Sequence, residues 1–250
     1  MIQISILKII GYGPWTLTLG SDREHELQIL QASLYKELQE EFSKRNCLVF
    51  LNRADEFFVV SNGLDLEDHL SIQNNIKNKF DIGLSISIGY GDTPFEANLK
   101  AYEGKKNGIF LNKEFNIFGF TNNENQNKVT IMHFDIDNLS SRRKTLSPYE
   151  ISSKIFSLYS KMSSYFIQKK SLSFFMGGDN FMVIASNDGK QHVQEFIEKI
   201  KNEDEILLNC GIGTGKTCRE AINLATKSLD TIREIRNSGK EKPEFYEIQC

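Results

Sequence analysis

The stretch S-L-S-F-F-M-G-G-D-N-F-M-V-I-A-S, residues 171–186, decides how the chain is read. Residues 172–176 and 181–185 are apolar and aromatic runs of strand length. Gly177, Gly178, Asp179 and Asn180 stand between them. Such a pattern predicts a β-hairpin. Glycine at the turn permits positive φ and lets a ligand come close to the backbone. Asp179 has two readings. It is ordinary turn chemistry, since Asp and Asn favour turns, or it is a carboxylate presented beside buried strands for a purpose.

The second informative stretch is V-T-I-M-H-F-D-I-D-N-L-S, residues 129–140. It predicts a strand running into Asp135 and Asp137, and strand alternation places both carboxylates on one side. The plain alternative is a solvated strand end with an Asx turn. Together with Asp179, however, the pair makes an oxygen-rich place for a hard divalent cation. Magnesium takes oxygen ligands, keeps some waters and is often shared with substrate phosphates. Two such ions can clamp both oxygens of a phosphoryl displacement.

At these residues the chain resembles a known group. D-I-D-N after a strand and G-G-D-N in a hairpin are similar to the metal-binding elements of the nucleotide-cyclase, GGDEF and polymerase-palm proteins. The tandem arrangement, with Y-G-P-W-T at residues 12–16, resembles more narrowly the archaeal GTP cyclohydrolase III family. The resemblance spans nearly the whole chain and is most specific at residues 12–16 and 175–182.

An internal repeat organises the rest. N-R-A-D-E-F at residues 52–57 matches M-G-G-D-N-F at 176–181, and I-G-Y-G-D-T at 88–93 matches I-G-T-G-K-T at 212–217. Both pairs are 124 positions apart. We therefore read two copies of one domain, residues 1–120 and 129–250. The polar run T-N-N-E-N-Q-N-K at 121–128 is the expected linker. In the first copy a strand at 3–10 leads into a loop holding Gly11, Gly13 and Pro14. S-D-R-E at 21–24, S-P-Y-E at 147–150, T-P-F-E at 93–96 and T-C-R-E at 217–220 read as capping boxes opening helices. The β-α-β-β-α-β order predicts an α+β protein. It is expected to have two tandem ferredoxin-like, palm-like domains, each an antiparallel sheet with helices on one face.

Composition sets outer limits. At 250 residues the chain can build one large core or two small ones. Hydrophobic content of 40% and charged content of 25% are those of a globular protein. A net charge of −3 offers no case for a nucleic-acid or membrane partner. No spanning helix or signal segment is read, and the expected compartment is the cytoplasm. Cys47, Cys210, Cys218 and Cys250 form no C-x-x-C pair, and His25, His69, His133 and His192 are scattered. Nothing has zinc-ligand spacing.

Two stretches keep more than one reading. C-G-I-G-T-G-K-T at 210–217 has Cys210 where a P-loop needs glycine, and its glycines lack dinucleotide-binding spacing. Lys216 is either a solvated lysine or a phosphate contact at a helix start. Tyr12 and Trp15 are either loop aromatics covering the core or a platform for a guanine base.

The family resemblance implies more. It implies hydrolysis of GTP to 2-amino-5-formylamino-6-(5-phosphoribosylamino)pyrimidin-4(3H)-one and two phosphates, feeding flavin-type coenzyme synthesis. It implies Mg2+, two per site, K+ as activator, GTP as substrate and a homo-oligomer, dimer or tetramer. Asp135 and Asp179 would be catalytic and hold the metal with Asp137 and the carbonyl of Ile136. Ile136, Asn138, Gly177, Gly178, Asn180, Lys216, Tyr12, Trp15 and Asp55 would surround the nucleotide. The family carries I-D-N-Y-G-P-W-T near its start, whereas this chain reads I-I-G-Y-G-P-W-T, with Ile10 and Gly11. That departure leaves Asp55 without an acidic partner, so the metal is expected in the second copy. A nucleotide cyclase or nucleotidyltransferase, and a GTP-binding module without turnover, stay open as other readings.

Overall fold

The computed structural model describes residues 1–120, 128–137, 139 and 145–249. Asn138, Cys250 and positions 121–127 of the expected linker lie outside the described residues. The chain divides into two compact units. One comprises Met1–Asp92 and Glu96–Asn127, the other Thr93–Phe95 and Lys128–Cys250.

The first unit opens with β1 (Ile2–Ile9), α1 (Tyr12–Thr18) and α2 (Glu24–Ser43). β2 (Val49–Arg53), β3 (Glu56–Val60), α3 (Leu66–Lys79), β4 (Leu84–Gly91) and α4 (Pro94–Lys106) follow, then β5 (Phe110–Asn112) and β6 (Ile117–Gly119). The sheet order is β2-β3-β1-β4-β6-β5. β1 pairs antiparallel with both β3 and β4, so the first four strands carry the ferredoxin-like order. β6 joins β4 in parallel.

The second unit repeats the plan with β7 (Val129–Ile136), α5 (Pro148–Gln168), β8 (Leu172–Gly177) and β9 (Asn180–Ala185). A 3-10 turn at Gly189–His192 leads into α6 (Val193–Asp204). β10 (Leu208–Gly215), α7 (Cys218–Asn237) and β11 (Phe245–Gln249) close the unit. Its order is β11-β10-β7-β9-β8, with β11 parallel to β10. The antiparallel core is as expected, and the parallel strand added beside β4 or β10 makes each sheet mixed.

Each core forms where alternating strand residues meet apolar helix stripes. In the first unit Leu7, Ile9, Phe57, Val59, Ile86 and Ile88 pack against Leu34, Leu38 and Phe42 of α2 and Ile72 and Ile76 of α3. In the second, Met132, Phe134, Phe181, Val183, Leu208 and Cys210 meet Ile155, Leu158, Met162 and Phe166 of α5 and Phe196 and Ile200 of α6. Cys47, Cys210 and Cys218 are buried and unbridged. Burial pushes the Cys47 thiol up to about 12, against a weaker pull from Arg45. No described helix is long and apolar enough to cross a membrane.

The expectation of helices on one face needs correction. The glycines of β4 and β10 alternate with core residues and face away from these cores. A Cβ on Gly213 would overlap the Ala221 carbonyl oxygen and the Ala225 amide nitrogen, and one on Gly211 the Ala225 carbonyl oxygen. A Cβ on Gly89 would likewise strike Ala97 and Ala101 of α4. α4 and α7 therefore lie backbone-to-backbone on the second face of their sheets. The G-x-G-x-G run at 211–215, like Gly89 and Gly91 in the first unit, is a seat for a helix, not a phosphate loop.

Two local expectations also change. Residues 12–18 are helical where a loop was expected, with Gly11 at φ 64° at the entry. Gly and Pro mark turns in isolation, but proline fits a helix's first turn, where no amide partner is lost. S-D-R-E is not a capping box, because Arg23 is the N-cap and makes no side-chain cap. Ser147 and Glu150 do form one, and an unforeseen box forms from Asp65 and Asp68.

Gly213→Ala should destabilise the fold by about 2 kcal/mol or more, because backbone rather than a flexible side chain blocks the methyl. Gly13→Ala, with nothing within 4 Å of the new Cβ, should stay within about 0.5 kcal/mol of the parent. Urea melts of the two variants compare these outcomes.

His69 gives a pH prediction. It is fully buried, its Nδ1 donates to the Asp65 carbonyl at 2.5 Å, and its Nε2 lies 2.7 Å from Ser5 Oγ. The carbonyl only accepts, so Nδ1 carries the proton, and in the neutral ring that burial favours Nε2 accepts from Ser5. Burial pushes its pKa down, outweighing the Asp65 hydrogen bond and the Asp68 and Asp65 charges. Below about pH 6.5 the unfolded chain takes up a proton that the folded chain refuses, so stability falls with falling pH. Melting temperature between pH 7.5 and 5.5 should drop, and His69→Gln should flatten part of that slope.

Candidate active site

The second unit gathers most of the expected residues at one end of its sheet. β7 delivers Asp135 directly opposite Asn180, the first residue of β9. Gly178 and Asp179 form the two-residue turn between Gly177 and Asn180, which pair across the hairpin. Gly177 has φ 99° and Gly178 φ 61°, which glycine tolerates and most residues do not. A Cβ on Gly177 would meet nothing within 4 Å, so the backbone there is open to an approaching group.

Asp135 is 7% exposed. Its Oδ2 accepts from the Arg233 guanidinium at 2.7 Å, while its Oδ1 is buried with no partner among the described residues. Arg233 also donates to Asp230 at 2.9 Å. Two residues along, Asp137 accepts from Arg236 at 2.9 Å and lies 3.1 Å from Lys242 Nζ. Both aspartates thus face α7, as alternation predicted, and Arg233 and Arg236 meet them one helical turn apart. Burial alone would raise the Asp137 carboxyl, but Lys242, an Asn209 hydrogen bond and Arg236 together hold it low. The side chain of Ile136 points into the core, so only its backbone oxygen can serve a ligand.

His133, on the same face of β7, links the elements. Its Nε2 lies 3.1 Å from Asn180 Oδ1 and its Nδ1 3.3 Å from Thr226 Oγ1 of α7. Asn180 Nδ2 in turn donates to Asp179 Oδ1 at 3.3 Å. The amide oxygen only accepts, so His133 Nε2 donates to Asn180, and in the neutral ring Nδ1 accepts from Thr226. Burial lowers the His133 pKa against the Asn180 hydrogen bond and the Asp135 charge, which keeps the ring neutral. The chain Thr226–His133–Asn180–Asp179 aims the turn carboxylate.

A magnesium ion fits this end of the sheet in part. The partnerless Asp135 Oδ1 and the turn carboxylate of Asp179 are oxygen donors of the right kind. Asp137 is committed to Arg236 and Lys242. Among the described residues no three Asp, Glu, His or Cys side chains converge on one metal position. An ion here would therefore complete its shell with water and substrate oxygens. Beside the turn, a cavity of about 410 Å³ lies between Gly178 and Phe175 of the hairpin and Leu139, Leu146, Ile151 and Phe156.

Lys216 is exposed and sits just past Gly215, which pairs with Val129 at the opposite end of β7. Strand rise puts it roughly 20 Å from Asp135. Tyr12 and Trp15 belong to the first unit, their rings 6.1 Å apart. Tyr12 packs on the first core and its hydroxyl accepts from Gln31.

The first unit's own hairpin differs in charge. Strand register sets Lys8 against Glu56 and Ser85, as Asp135 is set against Asn180 and Asn209. Lys8 therefore occupies the place of Asp135, and Ile10 the place of Asp137. Asp55 lies 3.9 Å from Lys8 and 3.6 Å from Arg53. It has cationic neighbours, where the sequence suggested only Ile10 and Gly11. Arg233, Arg236 and His133 were not singled out from sequence. Their signal was present in the i, i+3 arginines of α7 and the i, i+2 spacing of His133, Asp135 and Asp137.

Comparison with known proteins agrees with the sequence resemblance. The family model described as GTP cyclohydrolase III matches residues 2–243. A GTP cyclohydrolase III from Methanobrevibacter smithii is 35% identical over 246 residues, covering 95% of this chain and 96% of its own. Those from Methanothermobacter thermautotrophicus and Methanocaldococcus jannaschii are 34% and 32% identical, covering 93% of this chain and 95% and 88% of theirs. Among solved structures, a bacterial light-regulated adenylyl cyclase aligns over 94% of this chain and 83% of its own, at 14% identity and a TM-score of 0.40. The GGEEF domain of a Vibrio cholerae diguanylate cyclase aligns over 50% and 82%, at 14% identity and a TM-score of 0.35. On the strength of the whole-chain family match and these archaeal relatives, the chain belongs to the GTP cyclohydrolase III family of enzymes.

Proposed function

We propose that this chain hydrolyses GTP at the end of the second sheet, opening the imidazole ring of guanine while retaining the formyl group and releasing two orthophosphates. One water is consumed at the ring carbon and one at each phosphoanhydride. The observation that carries the reading is the buried, partnerless Oδ1 of Asp135 beside the Gly177–Gly178–Asp179 turn. A buried carboxylate oxygen without a partner is costly, and a cation shared with a triphosphate would satisfy it.

Asp135, Asp179 and the carbonyl of Ile136 would hold magnesium, which supplies neutralisation of phosphate charge and an acidified water. The chain's own residues do the positioning. The backbone of Gly177 and Gly178 lets phosphate oxygens approach without a side chain between. The His133–Asn180 link fixes Asp179, and Arg233 fixes Asp135 by its outer oxygen. The cavity beside Gly178 gives the purine an apolar wall in Phe175 and Phe156.

The reaction is tested by its products. With magnesium, the guanine ultraviolet spectrum should give way to that of a formamidopyrimidine, with two orthophosphates per GTP. EDTA should stop turnover and a zinc-selective chelator should not. A cyclic or linked nucleotide with pyrophosphate, or no product, would overturn the assignment.

Roles are tested by variants checked for folding. Asp179→Asn and Asp135→Asn should each lower GTP turnover about a thousandfold or more, the loss expected when several kcal/mol of metal-borne stabilisation disappears. Asp55→Asn, from the hairpin held by Lys8 and Arg53, should cost less than about tenfold. Equal losses in the three would show that both hairpins serve one composite site.

A further inference from the structure

The first unit carries a cavity that the proposed chemistry leaves unused. It measures about 500 Å³ and lies on the α4 face of the first sheet. Its charged lining is Lys8 from β1, Lys105 and Lys106 from α4, and one acid, Glu56. It occupies the position that the Asp135–Arg233 pair occupies in the second unit. There α7 runs 20 residues and its last turns clamp the aspartates of β7. Here α4 runs only 13 residues and ends at Lys106. The matching space stays open, and the strand residue facing it is a lysine.

The charges do not cancel. Glu56 is engaged by Arg53 at 3.3 Å and accepts from Asn52 at 2.7 Å. Lys8 stands 4.0 Å from Glu56 and 3.9 Å from Asp55, too far for hydrogen bonds. Lys105 Nζ donates to Ser85 Oγ at 2.5 Å, and among the described residues no carboxylate pairs with it. Burial is the main influence lowering its pKa, with Lys8 adding to it. Both costs fall when an anion enters. Lys106 lies over the Tyr102 ring at 5.8 Å, and Tyr102 is 57% exposed at the cavity wall. Phe58 and Leu99 supply further apolar lining.

We propose that this cavity binds a phosphorylated small molecule with a flat ring, of the nucleoside monophosphate class, without a metal ion. Lys8 and Lys105 take the phosphate and Tyr102 takes the ring. The volume lies within the range of small-ligand sites, and stacking on an exposed tyrosine suits a base. Duplication has left two versions of one place in the fold. The acidic version recruits a cation before it meets phosphate, whereas the lysine version meets phosphate directly.

The test is calorimetric titration of the full chain with GMP in EDTA, which removes metal-dependent binding in the second unit. Saturable binding is expected, tighter than for inorganic phosphate and weakened by salt. Lys8→Gln and Lys105→Gln should each weaken it tenfold or more, Tyr102→Ala several-fold, and Asp179→Asn should leave it intact. Should Lys105→Gln fail to fold, Lys8→Gln, at a half-exposed position, carries the same comparison. No saturable binding to the millimolar range would overturn the proposal. So would binding indifferent to the lysines but lost in Asp179→Asn, and GMP binding no tighter than phosphate would remove the ring contact.

Discussion

The close seating of a helix on a glycine-lined strand is the constraint from which the rest of each unit follows. Gly89 and Gly91 receive α4, and Gly211, Gly213 and Gly215 receive α7, at distances that leave no room for a methyl group. Alanines on the helices, Ala97 and Ala101 in one unit and Ala221 and Ala225 in the other, complete the fit. With α2 and α3, or α5 and α6, already burying the other face, each sheet becomes the middle layer of three. The face under α4 and α7 is then neither core nor open surface. It is a half-buried floor on which charged residues can be held by a helix only a few ångströms away.

On that floor the two copies have moved apart in charge while keeping one backbone plan. The second unit places acids on the strand and cations on the helix, so Asp135 and Asp137 are held by Arg233, Arg236 and Lys242. The pairing leaves Asp135 Oδ1 unfilled. The first unit places a lysine on the strand and lysines on a shorter helix. A change of sign at one strand position, Lys8 for Asp135, thus separates a place suited to a metal ion from one suited to an anion.

Much of this was legible in the sequence because the signals were local. The hairpin at 171–186, the box at Ser147–Glu150 and the strand-helix order all rest on turn residues and periodicity within a few positions. The repeat located the second copy by a shared spacing. What escaped depended on contacts between separate elements. The G-x-G-x-G run at 211–215 looked like a failed phosphate motif until its partners on α7, Ala221 and Ala225, were in place. The match of Lys8 to Asp135 was hidden because the first strand and the hairpin do not share one offset between copies. Strand pairing reveals it, whereas comparison with the family's I-D-N-Y-G-P-W-T segment pointed to Ile10. Arg233 and Arg236 lie almost a hundred residues from the aspartates they hold, and no spacing rule connects them. Lys216 was read at a helix start without regard to which end of the sheet that start occupies.

The account depends most on the claim that the second copy, and not the first, holds the metal with the nucleotide. Manganese reports this directly in place of magnesium. Its electron paramagnetic resonance signal, titrated with the chain and a non-hydrolysable GTP analogue, counts bound ions without requiring turnover. The account predicts binding that survives Asp55→Asn and is lost in Asp179→Asn and Asp135→Asn. Binding lost in Asp55→Asn and kept in Asp179→Asn would place the ion at the first hairpin and contradict it.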